Sequence, residues 1–324
     1  MQLHQAIAEF LTGYFSTHQR SNKTRMAYCA DLEQFGLYAG KELPLSAITA
    51  LLIEEWTAHL RTKSYAPASM RRKIVVLKVF CSYWLRRGVL TESPFWRVKL
   101  SFGRIEQLPR ALTEPEMRSL LDYAGRNHNQ IAVARKGAVL ARGRREIVAS
   151  KFYRAIRNLA LIDLMFATGM RVGEVSALDT VDFIVAEACF KVHGKGGRYR
   201  LAFVVDDQTV SIQHKHLEAR SKMRGDSPAL FLNASGSRLS TQGIANIISK
   251  FREEAGLSRH VTPHMLRHTV ATLLLRNGVD IRVVQEFLGH ASIATTQRYT
   301  HVAKEHLIGV LRKHHPSFGL RMKA

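Results

Sequence analysis

Three short segments in the second half of this 324-residue chain hold side chains with chemical capacity. In the run Thr262-Pro263-His264-Met265-Leu266-Arg267-His268, Pro263 fits the first position of a helix, so His264 and Arg267 share one face at i, i+3. An Arg beside a His suits one phosphate group: the guanidinium by paired charge-assisted hydrogen bonds, the imidazole as donor or proton carrier. The plainer alternative is a partly buried His with a surface Arg. The run Ala167-Thr168-Gly169-Met170-Arg171-Val172-Gly173-Glu174 sets an Arg just past a Gly break, with Glu174 three residues on. By itself it reads more simply as a surface ion pair. The run from Leu288-Gly289-His290 to Gln297-Arg298-Tyr299 offers a second His and, nine residues later, a Tyr. A lone Tyr is ordinarily a core or surface residue.

In this order the three runs resemble the tyrosine recombinase (phage integrase) family, and its Xer-like branch in particular. The family pattern is an Arg after a Gly break, a hairpin Lys, H-x-x-R, then G-H followed some nine residues later by Tyr. This sequence supplies Arg171, Lys195, His264 with Arg267, His290 and Tyr299. The first hundred residues also look like the family's helical core-binding domain. One departure is a basic stretch at 124–155, longer than the family's usual connection before the helix leading to Arg171. The resemblance implies a site-specific DNA recombinase that cuts and rejoins DNA through a 3′-phosphotyrosine link. It also implies double-stranded DNA with inverted repeats as partner, a homo-tetramer on two sites, and passage through a Holliday junction. The rival readings are a type IB topoisomerase and a DNA-binding regulator with a dead active site.

The chemistry accounts for each residue type. A phosphodiester is already anionic, and its transition state gathers further charge on the non-bridging oxygens. Arg171 and Arg267 would clamp those oxygens, with His290 donating another bond; losing one such donor costs about 10²–10³ in rate. Fixed cations can do here what Mg²⁺ does in other phosphoryl transfers, so neither a metal nor another cofactor is expected. Tyr299 would attack as a phenolate-like nucleophile; its free pKa of about 10 calls for a base, and His264 is the natural one. Lys195, the family's hairpin Lys, would protonate the leaving 5′-oxygen. Of the tyrosines from residue 112 onward (Tyr123, Tyr153, Tyr199 and Tyr299), only Tyr299 follows the G-H run.

The elements that must position these residues read as mainly α. Apolar residues recur at helical spacing in Ile7, Phe10, Leu11 and again in Tyr28, Leu32, Phe35. Ser21 or Asn22 can cap the second of these helices, a third is predicted over 53–60, and a fourth from Pro67 through Trp84. Its first turn carries Arg71, Arg72 and Lys73, either as DNA phosphate contacts or as a solvated face. Residues 101–111 read as a linker and Leu112-Thr113-Glu114-Pro115-Glu116 as a helix start. A helix is expected from about Tyr153 to Thr168, and a hairpin over 190–193 and 198–204 turning at Gly194-Lys195-Gly196-Gly197. From Gln242 onward the pattern is helical again. The chain thus divides into a helical-bundle, DNA-binding domain at 1–100, the linker, and a catalytic domain at 112–324 with a small antiparallel sheet, the two expected to clamp DNA from both sides. The basic stretch 124–155 has low apolar periodicity and predicts mobility without DNA, with Arg142, Arg144 and Arg145 as added phosphate contacts. The segment 302–311 is a helix that packs on its own domain in the plainer reading; the resemblance implies that the last segment, around His315 to Leu320, docks on a neighbouring subunit.

Bulk composition agrees with this picture without specifying it. Lys and Arg number 48 against 26 Asp and Glu, a formal net charge of +22. Such an excess favours a polyanionic partner, because each neutralised phosphate releases a counterion; a solubilising surface or an RNA binder would share it. The cysteines Cys29, Cys81 and Cys189 lie far apart, against a structural zinc site or a disulfide framework and in keeping with a reducing cytoplasm. Met1-Gln2-Leu3-His4-Gln5 opens with no basic region ahead of an apolar run, so no signal peptide is expected there. The most apolar run, 159–170, is short and interrupted by Asp163, so no membrane span is expected.

Overall fold

A computed structural model describes residues 1–18, 22–102, 111–136, 142–193, 199–223, 225–289 and 301–320, with side chains left aside at 23, 134–136, 142–149 and 301–305. The chain divides into two compact units, Met1–Gln107 and Leu108–Ala324.

The first unit is four helices: α1 (Leu3–Thr17), α2 (Asn22–Ala39), α3 (Ala50–Thr62) and α4 (Pro67–Arg86). The buried residues of α1 are Leu3, Ala6, Ile7, Phe10 and Tyr14, the three-and-four spacing of one helix face. They meet Phe80 and Tyr83 of α4 edge-on, with ring centres 5.4 and 5.1 Å from Phe10. The predicted start at Pro67 holds, in the first turn of α4, whereas α3 begins earlier than the expected 53, at Ala50, where Thr49 accepts from the Leu52 N–H. Because α4 begins at Pro67, Arg71, Arg72 and Lys73 fall in its second turn rather than its first.

The second unit is built round one long helix. Its helices α5 (Glu114–Lys136) and α6 (Arg142–Thr168) are followed by α7 (Val172–Ala177), then strands β1 (Phe183–Ile184), β2 (Cys189–His193) and β3 (Tyr199–Phe203). After them come α8 (Asp207–Ser221), α9 (Thr241–Glu254), α10 (Pro263–Arg276), α11 (Ile281–Leu288), α12 (His301–His314) and α13 (Ser317–Leu320). The strands form an antiparallel sheet in the order β1-β2-β3, with Val192 opposite Arg200. Helix α6 lies in the core, burying Tyr153, Ile156, Ala160, Leu161, Leu164 and Met165 against α5, α8 and α10. The start of α5 is a reciprocal cap: the Thr113 N–H donates to Glu116 Oε2 at 2.7 Å and the Glu116 N–H to Thr113 Oγ1 at 3.4 Å.

One expectation needs correction. Helix α6 starts at Arg142, not near Tyr153, and α5 runs to Lys136, so most of the basic stretch is regular helix. Arg, Ala, Lys and Glu are good helix formers, and alternating apolar and charged residues do not prevent a helix whose later turns are buried. The last segment packs on its own unit: His315, Ser317 and Leu320 are buried, and Arg118 Nη2 donates to the Gly319 carbonyl at 3.1 Å. Among the described residues no helix is long and apolar enough to cross a membrane.

Candidate active site

The site is assembled where five stretches of the second unit end or turn. Helix α6 stops at Thr168, whose Oγ1 donates to the Leu164 carbonyl, and Gly169 follows at φ +58°. A Cβ on Gly169 would stand 2.5 Å from Leu288 Cδ2, so both its backbone conformation and the close approach of α11 require glycine. That turn delivers Arg171 to the residue just ahead of α7. Its N–H donates to Glu174 Oε2 and its Nη1 to Glu174 Oε1, both at 2.8 Å. Helix α7 is itself stapled from below. Ser176 Oγ donates to the Leu239 carbonyl at 2.7 Å, and Arg238 Nη1 donates to the carbonyls of Ser176 and Leu178.

Arg267 arrives on α10, whose start is fixed by Pro263 and by Thr262 Oγ1 accepting from the Met265 N–H. Its side chain is buried. Nη1 donates to the Gly169 carbonyl at 2.7 Å and Nη2 to the Leu288 carbonyl at 2.8 Å. A guanidinium has five N–H donors, so this fork retains donors beyond the two that fix it. Helix α11, capped by Asp280 accepting from the Arg282 N–H, ends at Gly289 with φ +67°. The Gly289 carbonyl lies 3.4 and 3.5 Å from the two terminal nitrogens of Arg171. Gly289 is the residue before His290, so the G-H run reaches this cluster through its glycine.

The electrostatics are lopsided. Burial and then the charge of Arg171 lower the Arg267 guanidinium to about 10, with Glu174 opposing; at neutral pH it stays charged. Burial pushes the Glu174 carboxyl up, but the charge of Arg200 and the hydrogen bonds from Arg171 outweigh it and hold the group below the ordinary carboxylate range. Three guanidiniums, those of Arg171 and Arg200 paired with Glu174 and that of Arg267 held by carbonyls, therefore stand near one carboxylate in a partly dehydrated place. Such an arrangement favours an anion that can take donors from several sides at once.

Of the other residues expected at the site, His264 stands exposed in the first turn of α10, one turn before Arg267. Lys195, His290 and Tyr299 lie outside the described residues, as do the side chains of Arg142, Arg144 and Arg145. In the first unit Arg71 is exposed and Arg72 half-exposed. Lys73 is a correction: its Nζ is buried on Asp31 Oδ1 at 2.8 Å and Gln34 Oε1 at 2.5 Å, an interior ion pair rather than a cation presented to phosphate. Sequence reading also passed over Arg200. The available signal was strand alternation, which puts a cation on the same face as the apolar Phe190, Val192 and Ala202.

The phage integrase family model matches residues 146–306, and the model of the phage integrase N-terminal SAM-like domain matches residues 7–88. A tyrosine recombinase XerC of Listeria innocua is 30% identical over 312 residues, 95% of this chain and 96% of that protein. The chain belongs to the tyrosine recombinase (phage integrase) family. Its recombinase fold is shared with XerH site-specific recombinase, solved bound to a palindromic difH substrate as a post-cleavage complex. That likeness has 25% identity and a TM-score of 0.64, covering 88% of this chain and 78% of XerH. The lambda integrase tetramer bound to a Holliday junction shares the fold alone, at 16% identity and a TM-score of 0.66 over 93% of this chain and 80% of that one. The recombinase is thus a tyrosine site-specific recombinase of the Xer-like branch, and neither the topoisomerase nor the dead-regulator reading gains support from these relatives.

Proposed function

We propose that this recombinase breaks and rejoins DNA with Tyr299 as nucleophile and with Arg171 and Arg267 as the clamp on the scissile phosphate. The observation that supports it most is the cluster just described, in which Arg267 and Arg171 are fixed by backbone carbonyls and one carboxylate while excess positive charge is left over. In the proposed step the Tyr299 oxygen attacks phosphorus, a phosphotyrosine bond forms and the bond to the 5′-oxygen breaks. His264 takes the phenol proton, Lys195 gives a proton to the leaving 5′-oxygen, and His290 donates to a non-bridging oxygen. Attack by a 5′-hydroxyl from another strand reverses these bonds, so the bond energy is kept and no ATP is consumed.

The rest of the reading is proposed with it. The substrate is a specific site with inverted repeats, bound in the cytoplasm. Four copies act on two such sites through a Holliday junction, the assembly seen for the lambda integrase of the same fold. Residues 1–100 serve as the core-binding domain and 112–324 as the catalytic domain. Arg71 and Arg72, with Arg142, Arg144 and Arg145 at the start of α6, contact phosphates and set affinity rather than sequence choice. The test is a covalent adduct assay on nicked duplex DNA. Tyr299→Phe should bind as the natural protein does and give no SDS-resistant adduct; an adduct from that variant sinks the assignment.

A further inference from the structure

Arg200 is the one cation on the inward side of the described part of β3. It lies opposite Val192, and Phe190, Val192 and Ala202 on the same face are buried. A guanidinium taken out of water in such a place must be paired. Its Nη2 donates to Glu174 Oε2 at 2.9 Å, with 14% of the Arg200 side chain exposed. Nη1 is buried and has no partner among the described residues. The stem runs along Gly289 so closely that a Cβ there would collide with Cδ and Nε of Arg200. Arg200 therefore touches both groups that flank Arg171: the carboxylate that receives its Nη1 and the glycine whose carbonyl faces its fork.

Arg171 cannot hold this geometry with Glu174 alone. The Arg171 side chain is 40% exposed, and an ion pair so open to water is weak and free to swing. Glu174 is different, being 12% exposed and gripped from the strand side by Arg200. A carboxylate shared by two guanidiniums also leaves Arg171 with charge to offer an incoming phosphate, which a private one-to-one pair would cancel.

We propose that Arg200 is a positioning residue for the recombination reaction: acting through Glu174 on one side and Gly289 on the other, it holds the Arg171 guanidinium in register with Arg267. This rests on Arg171 being a phosphate clamp, as proposed above. The test is single-turnover adduct formation on nicked duplex DNA at saturating protein, for Arg200→Gln, Glu174→Gln, the double variant and Arg200→Lys. Misplacing a clamp by about 1 Å costs on the order of 10²-fold, so Arg200→Gln should slow adduct formation by about that factor while DNA affinity stays within about threefold. Because both side chains act through one arm, the double variant should be no more than about twofold slower than the worse single variant. Arg200→Lys, which keeps a cation for Glu174, should recover about tenfold of the loss, roughly half of it on a logarithmic scale. Three results overturn the proposal. One is an Arg200→Gln rate equal to the natural one. Another is a double variant whose losses multiply, which would make Arg200 a direct contact to DNA. The third is an Arg200→Gln protein that loses cooperative melting and DNA binding together, which would make it a packing residue. Failure of the underlying reading shows elsewhere, as a missing adduct in the natural protein or an adduct from Tyr299→Phe.

Discussion

Each unit of the molecule gathers cations round one sheltered carboxylate, and the two gatherings differ in what they leave over. In the first unit Asp31 receives Arg72 at 2.9 Å and Lys73 at 2.8 Å. Only Lys73 is buried with it, steadied by Gln34 and by the Tyr65 ring 5.2 Å from Nζ, while Arg72 reaches into water. The buried part is one positive charge on one negative charge. In the second unit Glu174 receives Arg171 and Arg200, and the buried Arg267 beside them is held, among the described residues, by carbonyl oxygens. Carbonyl dipoles satisfy hydrogen bonds without cancelling charge. A balanced pair in the interior leaves little field outside it; an unbalanced one leaves a positive field that favours an incoming anion.

Removing the carboxylate of the balanced pair should have the largest effect, and on folding alone. Asp31→Ala leaves the Lys73 ammonium buried without its counter-charge, a change that costs about 3–5 kcal/mol of stability. The urea midpoint should fall accordingly, while the adduct rate of the fraction that stays folded is unchanged. A loss below about 1 kcal/mol would mean that Lys73 reaches water and that the pair behaves as a surface one.

The unbalanced cluster should answer in rate instead. Arg267→Lys keeps one charge but cannot hold the Gly169 and Leu288 carbonyls and still present a planar fork. Single-turnover adduct formation should drop by about 10²–10³. A drop of less than about tenfold would show that a point charge suffices there and that the fork geometry is incidental.

A third buried base takes another course. His216 is fully buried between the rings of Tyr153 and Phe231, and neither ring nitrogen has a partner among the described residues. Burial first, then the charges of Arg157 and Arg220, lower it to about 3. Above the unfolded value near 6.5 the imidazole is neutral in both states. Below it the unfolded chain takes up a proton that the folded chain refuses until about pH 3, so stability falls with pH across that window by up to about 1.4 kcal/mol per unit. His216→Phe should flatten the fall of melting temperature between pH 6.5 and pH 4.5. An unchanged slope would assign the acid sensitivity to the carboxylates.

The sequence exposed the candidate residues of the proposed site better than the framework that fixes them. Arg171, His264 and Arg267 were legible because Gly169 and Pro263 punctuate the chain beside them, and punctuation is a local property. The four helices of the first unit were legible because their apolar stripes are regular. Helix α8 was not announced, since the face it buries includes Gln213, His216 and Arg220, polar residues satisfied or neutralised only by the finished fold. Strand β1 is two residues long, too short to alternate. Lys73 was misjudged and Arg200 passed over for one reason: a cation is read as surface by default, and only the tertiary structure shows which carboxylate it meets.

The smallest effect separates neighbouring cations on α4. Arg71 is exposed, its guanidinium 5.8 Å from the centre of the Phe102 ring, whereas Lys73 two residues on is buried on Asp31. A side chain that neutralises a phosphate releases a counterion and contributes about 0.9 to the slope of log affinity against log salt. Arg71→Ala should therefore lower that slope by about 0.9 and weaken specific and unrelated DNA alike. Lys73→Met leaves Arg72 on Asp31 and should leave the slope unchanged, because an ammonium that never faces DNA releases nothing. Titrations at several salt concentrations decide both. An Arg71→Ala slope equal to that of the natural protein would place this guanidinium in solvent, and a reduced Lys73→Met slope would mean that the Asp31 pair opens on DNA and that even the balanced cluster answers to an anion.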